Sequence, residues 1–175
     1  EKMGWKDING DGFYEDENGQ EVILRLLTNS YNPLRLKVAD MIVEDLNKIG
    51  IQVIKDYSEN IPDNLSDEMI DLQWENINEK LIKKDFDIVL LGWHLSAVPE
   101  LSFAFHSNQI KIGTNFINYS NQGMDEALMK AFNADNRNSK LKAFEKLQSH
   151  ITDELPYISL FFRNNALLVD RMVMG

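Results

Sequence analysis

The chain has 175 residues, with 18 Lys and Arg against 28 Asp and Glu, a formal net charge of -10 and no cysteine. That acidity argues against a nucleic-acid partner, whose phosphates require clustered Lys and Arg, and the missing thiols exclude disulfides, thiolate metal sites and a cysteine nucleophile. With 43% apolar residues the chain reads as folded and large enough for one sizeable domain or two very small ones, and no apolar run reaches the ~18 residues of a membrane-spanning helix.

The opening is rich in turns and carboxylates. Asp7, Asn9, Asp11 and Gly12 occupy positions one, three, five and six of an EF-hand-like loop, with the Phe13 carbonyl and Glu15 as further oxygens. Position twelve is Asn18, where a bidentate Glu is needed, and no flanking helix is predicted. A chain of Asx-turns leading into a hairpin is the competing reading, and the expectation is no metal. Glu21 to Leu27 is aliphatic and β-branched and reads as a strand ending at Thr28, Asn29 and Ser30. A helix follows from Pro33 to Ile49, with Leu34, Val38, Ile42, Leu46 and Ile49 at helical spacing, Pro33 in the first turn and Gly50 as the stop. Ile51 to Ile54 reads as a second strand.

Residues 56 to 66 are loop-like, and the stretch from Asp56 to Asp71 reads as surface decoration. A second helix runs from Asp67 to Lys84, capped by Ser66, with Ile70, Trp74, Ile77 and Leu81 on one face. Phe86 to Trp93 is nearly all apolar, the mark of a strand covered on both faces. Two more helices carry Met124, Leu128 and Ala131 or Phe132, then Leu141, Phe144, Leu147 or Gln148, and Ile151, ending near Pro156. Tyr157 to Phe162 and Ala166 to Val169 bracket a reversal at Arg163, Asn164 and Asn165 and read as a hairpin. This order implies βαβ units and one α/β domain over residues 1–175, with a mixed, mainly parallel sheet flanked by helices.

Ligands of open α/β sheets bind beyond the carboxyl ends of the strands. Here those ends are Asn29 and Ser30, Tyr57 and Ser58, and the run Trp93, His94, Leu95, Ser96. Trp93 and His94 combine apolar area with a polar handle, as binding clefts do; simple rim packing is the alternative. Signals for catalysis are weak. No Gly-x-Ser-x-Gly elbow, Walker loop or His-Glu-x-x-His helix is present. His94, His106 and His150 are far apart in sequence, and His150 falls on the exposed or edge side of a predicted helix, where a structural role is expected. Asp87, at a strand start, is expected to satisfy backbone donors.

Several segments occur in a recognisable order. They are Gly4, Trp5, Lys6, Asp7 through Gly12; Leu26 to Ser30; Ile49-Gly50-Ile51; Phe86 to Trp93; Phe103 to Ser107; Asn115 and Phe116; Tyr119, Ser120, Asn121; and Leu155, Pro156, Tyr157. Together they resemble the second large lobe of family 5 extracellular solute-binding proteins, which serve oligopeptide, dipeptide and nickel importers of the ABC class. The resemblance spans essentially the whole chain. It implies a periplasmic-binding-protein-like lobe that is inserted between two stretches of a first lobe and traps solute by hinge closure, with the chain starting and stopping near those crossovers. It implies no cofactor and no catalysis. It also implies a peptide or other small solute as ligand, ABC permease subunits as partners, and an extracellular or periplasmic place with a lipid anchor on the full-length protein.

The family's cleft-facing segment corresponds to Trp93 through Pro99, with Asn115 and Phe116 contributing from a later loop. Trp93, His94, Ser96, Asn115, Phe116 and Asn29 are therefore the candidate substrate-binding residues. Peptide binders of this family often carry in the first segment an Asp that pairs with the peptide's amino group. Residues 94–98 here contain no carboxylate, and Glu100 lies just beyond. Nickel chelates or oligosaccharides are alternative solutes. An α/β hydrolase or a calcium-stabilised interaction domain would be a different class altogether.

Overall fold

The computed structural model of the chain describes residues 3–58, 64–95 and 100–161. The chain divides into two units, Glu1–Pro99 and Glu100–Gly175.

In the first unit, β1 (Ile23–Leu27), α1 (Pro33–Lys48), β2 (Gln52–Asp56), α2 (Asp67–Lys83) and β3 (Ile88–Val89) follow one another. The strands form a parallel sheet in the order β2-β1-β3. β1 is central because both of its faces are apolar: side chains alternate along a strand, and the neighbours Leu26 and Leu27 are both buried. Leu26 meets Ala39 and Val43 of α1 and Val53 of β2, with Ile42, Leu46, Ile88 and Leu90 packed around them.

α1 begins where Asn32 accepts the Arg35 N–H (3.1 Å) and Pro33 takes the first turn. It ends at Gly50, whose φ is +85. The buried line of α1 is Leu36, Ala39 and Val43; of the stripe Leu34 to Ile49 that spacing picks out, Ile42 and Leu46 pack against this core while still partly exposed. Leu34 and Ile49 are exposed, because spacing fixes a face only to within a residue and the sheet selects the face that lies flat on it. α2 is capped by Ser66, which accepts from Met69 N, and stops at Lys84, a non-glycine residue in the left-handed region. It buries Ile77 and Leu81 but leaves Trp74 exposed. A salt bridge from Lys80 to Asp56 (2.5 Å) ties it to β2.

Gly50 fills two roles. A Cβ there would lie 3.0 Å from the Gly12 carbonyl oxygen and 3.2 Å from the Tyr14 ring, while Tyr14 N donates to Gly50 O (2.8 Å). This one residue stops α1 and receives the N-terminal segment. Gly50→Ala should cost about 1–3 kcal/mol, from left-handed strain plus the close approach; a lower urea midpoint at unchanged m measures it. The N-terminal segment is a small antiparallel arrangement in which Glu15 bridges to Lys6 and Glu21.

β3 is shorter and less covered than its apolar sequence implies. Only Ile88 and Val89 pair as strand, although Asp87 N donates to Arg25 O and Leu90 N to Leu27 O, and residues 88–91 are only partly buried. An apolar run marks what can be buried, and the neighbouring elements decide how much is.

The second unit holds α3 (Ser102–Phe105), α4 (Gln109–Ile112), α5 (Gln122–Phe132) and α6 (Arg137–Glu154). The two four-residue helices carry too little periodicity to be read from sequence. α5 and α6 pack through small residues, Ala127 and Ala131 against Ala143, around Met124, Leu128 and Leu147. Phe105 of α3 closes this core, its ring 4.9 Å from that of Tyr157. Of the pair Ala131 and Phe132 the alanine is inside, and Phe132 is 70% exposed. α6 ends at Glu154, just before Pro156. Residues 157–161 are not strand; the rest of the expected hairpin lies outside the described residues. No helix among the described residues is long and apolar enough to cross a membrane.

Candidate functional site

The order β2-β1-β3 sends the chain from β1 to one neighbour and then past it to the other. The crevice of such a sheet opens at the carboxyl ends of β1 and β3. Three buried polar residues follow β1: Thr28, Asn29 and Ser30. Each is held differently. Thr28 Oγ1 donates to Leu90 O (2.8 Å), carrying the β1–β3 junction beyond the ladder. Ser30 Oγ accepts from Ser58 N (2.8 Å), and Ser30 N donates to Gln73 Oε1 (3.3 Å), which binds the ends of β1 and β2 to α2. Asn29 Oδ1 accepts from Arg35 Nη1 of α1.

On the β3 side the chain runs out through Gly92 to Trp93, His94 and Leu95, all exposed, Trp93 at 39%. The first unit therefore presents a rim with a buried polar seam at β1 and an aromatic residue and an imidazole at β3. Asn29, Trp93 and His94 belong to this rim, while Ser96 lies outside the described residues. Arg35 was not singled out from the sequence. Its guanidinium reaches across to β3, with Nη2 3.2 Å from where a Gly92 Cβ would stand. A basic residue one turn into the helix after the strand is the signal that would have found it.

Asn115 and Phe116 are in the second unit, both buried. Asn115 is 0% exposed. It donates from Nδ2 to His106 O (3.2 Å) and Tyr119 O (2.7 Å) and accepts Tyr119 N–H (3.0 Å) at Oδ1. Its amide thus stitches the loop between α4 and α5 to the end of α3. Beside it, Asp125 accepts both the N–H (2.9 Å) and the hydroxyl (2.5 Å) of Ser107, while His106 Nδ1 accepts Asn108 N–H (3.2 Å). The serine hydroxyl is bonded to a carboxylate and not to the imidazole, unlike a nucleophile–base pair.

His150, on α6, is engaged with Glu154 (3.1 Å), which also accepts from Tyr119 OH (2.8 Å) and Asn121 Nδ2 (2.7 Å). These donors, Tyr119 first, hold the Glu154 carboxyl below its ordinary range. Burial and then Glu154 push the Tyr119 phenol up. The cluster joins the start of α5 to the end of α6.

In the acidic opening, Asp7 accepts from Gly10 N and Gly12 N, Asn9 from Asp11 N, Asp11 from Phe13 N and Glu15 from Ile8 N, at 2.7–3.1 Å. The bonds of Asn9 and Asp11, each to the N–H two residues on, are Asx-turns, and those of Asp7 and Glu15 close wider turns of the same loop. Among the described residues no three His, Cys, Asp or Glu side chains are gathered as a metal would need. Asp87 accepts the Arg25 backbone N–H (2.8 Å).

No protein-family model matches the chain. Over 176 aligned residues it is 33% identical to the oligopeptide-binding protein AppA of Bacillus subtilis, covering 99% of this chain and 30% of that protein. The solved structure of AppA in complex with a nonapeptide superposes with a TM-score of 0.73 at 32% identity, over 89% of this chain and 28% of that one. The periplasmic oligopeptide-binding protein of an oligopeptide ABC transporter from Thermotoga maritima superposes with a TM-score of 0.72 over 90% of this chain and 28% of that one. At 22% identity this last likeness speaks for the fold alone. The chain spans less than a third of the length of each.

Proposed function

From a chain whose relatives and structural neighbours are family 5 solute-binding proteins, matched over one part of their length, we propose that these residues form the second large lobe of such a protein. In this reading the lobe supplies one wall of a cleft that captures peptides outside the cytoplasm for an ABC importer, and it carries out no catalysis. The observation that carries the reading is the likeness to AppA over nearly the whole chain. The rim adds physical support. Trp93 offers a rigid amphipathic face beside the imidazole of His94, at the end of the sheet where α/β folds bind ligands. Ser96 belongs to the same proposed wall. In the second unit the Asn115 amide holds the loop between α4 and α5, and the neighbouring Phe116 is buried.

Peptide capture through the ligand backbone suits this rim. With no carboxylate in residues 94–98, a charged hook for the peptide's amino group is not part of that segment. The test is tryptophan fluorescence and calorimetry on the two-lobed protein with random nonapeptides. Saturable binding is expected, and Trp93→Ala should weaken it about tenfold or more, as loss of a buried aromatic anchor does. A folded protein that ignores peptides but responds to nickel chelates or oligosaccharides would overturn the peptide assignment and keep the lobe.

A further inference from the structure

We infer that Arg35 is a positioning residue for solute capture: it fixes the amide of Asn29 so that Nδ2 serves as the donor to a backbone carbonyl oxygen of the bound peptide. The inference rests on the binding-lobe reading above and assigns a role to two residues within it.

Of the polar side chains after β1, Thr28 and Ser30 spend their hydroxyls on the fold, on Leu90 O and Ser58 N. Asn29 does not spend its amide nitrogen. The residue is 0% exposed, and Nδ2 has no hydrogen-bond partner among the described residues. A buried donor left unmade costs more than a made bond gains, so natural structures seldom retain one without use.

The orientation of the amide is set by charge. Oδ1 accepts from the Arg35 guanidinium. Rotating the amide by half a turn would set NH2 against a permanent cation that has only donors. Arg35 therefore decides which end of Asn29 remains as donor. The same guanidinium reaches the end of β3, where Gly92 leaves room for it, a Cβ there standing 3.2 Å from Nη2. The donor is thus placed at the crevice between β1 and β3.

A donor-only group selects an acceptor. A peptide carbonyl oxygen fits, is present in every peptide, and imposes no choice of side chain. Because the amide is enclosed, the link runs by direct contact on rim rearrangement or through one enclosed water; both routes need the N–H.

The discriminating variant is Asn29→Asp, which keeps an oxygen for Arg35 and replaces the donor with an acceptor. In the two-lobed protein, titrated with random nonapeptides well below the melting temperature, Asn29→Asp should lose affinity about tenfold or more while melting no lower than the parent. Arg35→Met should lose affinity to a similar degree, with Arg35→Lys restoring part of it. If the parent binds peptides and both Asn29→Asp and Arg35→Met bind within about twofold of it, the inference is wrong and the lobe reading stands. A folded parent that binds no peptide overturns both.

Discussion

Replacing Asn115 with alanine should lower stability by about 2–4 kcal/mol, a large effect for a polar side chain. Its one amide serves three backbone groups, the carbonyls of His106 and Tyr119 and the N–H of Tyr119. Truncation strands these groups where water reaches poorly. Each then bears a desolvation penalty that the made bond had offset, and the sum exceeds the worth of any single bond. Urea denaturation followed by far-ultraviolet circular dichroism would show a lower midpoint at the same m. Asn115→Asp keeps only the acceptor end and should retain the Tyr119 N–H bond alone, giving an intermediate loss. A side chain reserved for ligand would instead leave the midpoint within about 0.5 kcal/mol of the parent.

Leu26→Ala should cost about 3–5 kcal/mol. Leu26 is fully buried on the central strand, and its neighbours come from three separate elements: Ala39 and Val43 from α1, Val53 from β2, and Ile88 at β3. Backbone ladders on both sides of β1 hold these elements apart, so the space vacated by the leucine cannot collapse. The cost is therefore transfer free energy plus cavity. Leu34→Ala, at a position that spacing assigns to the core and that the structure leaves exposed, should change stability by about 0.5 kcal/mol or less. Equal effects at the two positions would refute the packing described for α1.

Much of the fold was legible because local chemistry speaks for itself. Pro33 and Gly50 bound α1 where the sequence places them, and Ser66 caps α2. Met124, Leu128 and Leu147 lie inside the helical pair as their spacing requires. The candidate site was only partly legible. Asn29, Trp93 and His94 follow from strand ends, since the rule that ligands bind there needs only the order of elements. Arg35 does not stand out along the chain because what distinguishes it is a hydrogen bond to Asn29, six positions away, and the room left by Gly92. For Asn115, expected from the sequence to meet ligand, the structure adds amide bonds to the backbone of His106 and Tyr119; spacing cannot report the direction of an amide.

By itself the sequence determined the things governed by neighbours along the chain: the helix limits, the strand positions, and the acidity that argues against nucleic acid. It also carried the order of segments on which the resemblance to family 5 solute-binding proteins rests. Tertiary structure decided which side of α1 faces the sheet, how little of the β3 segment pairs, and which of Ala131 and Phe132 goes inside. It also decided that Thr28 and Ser30 serve the fold while the amide nitrogen of Asn29 is left over. The physical reason is the same in each case. Periodicity and propensity are sums over adjacent residues, whereas burial and hydrogen-bond pairing are settled among groups distant in sequence, such as Thr28 with Leu90, by whichever arrangement leaves the fewest polar atoms unpaired.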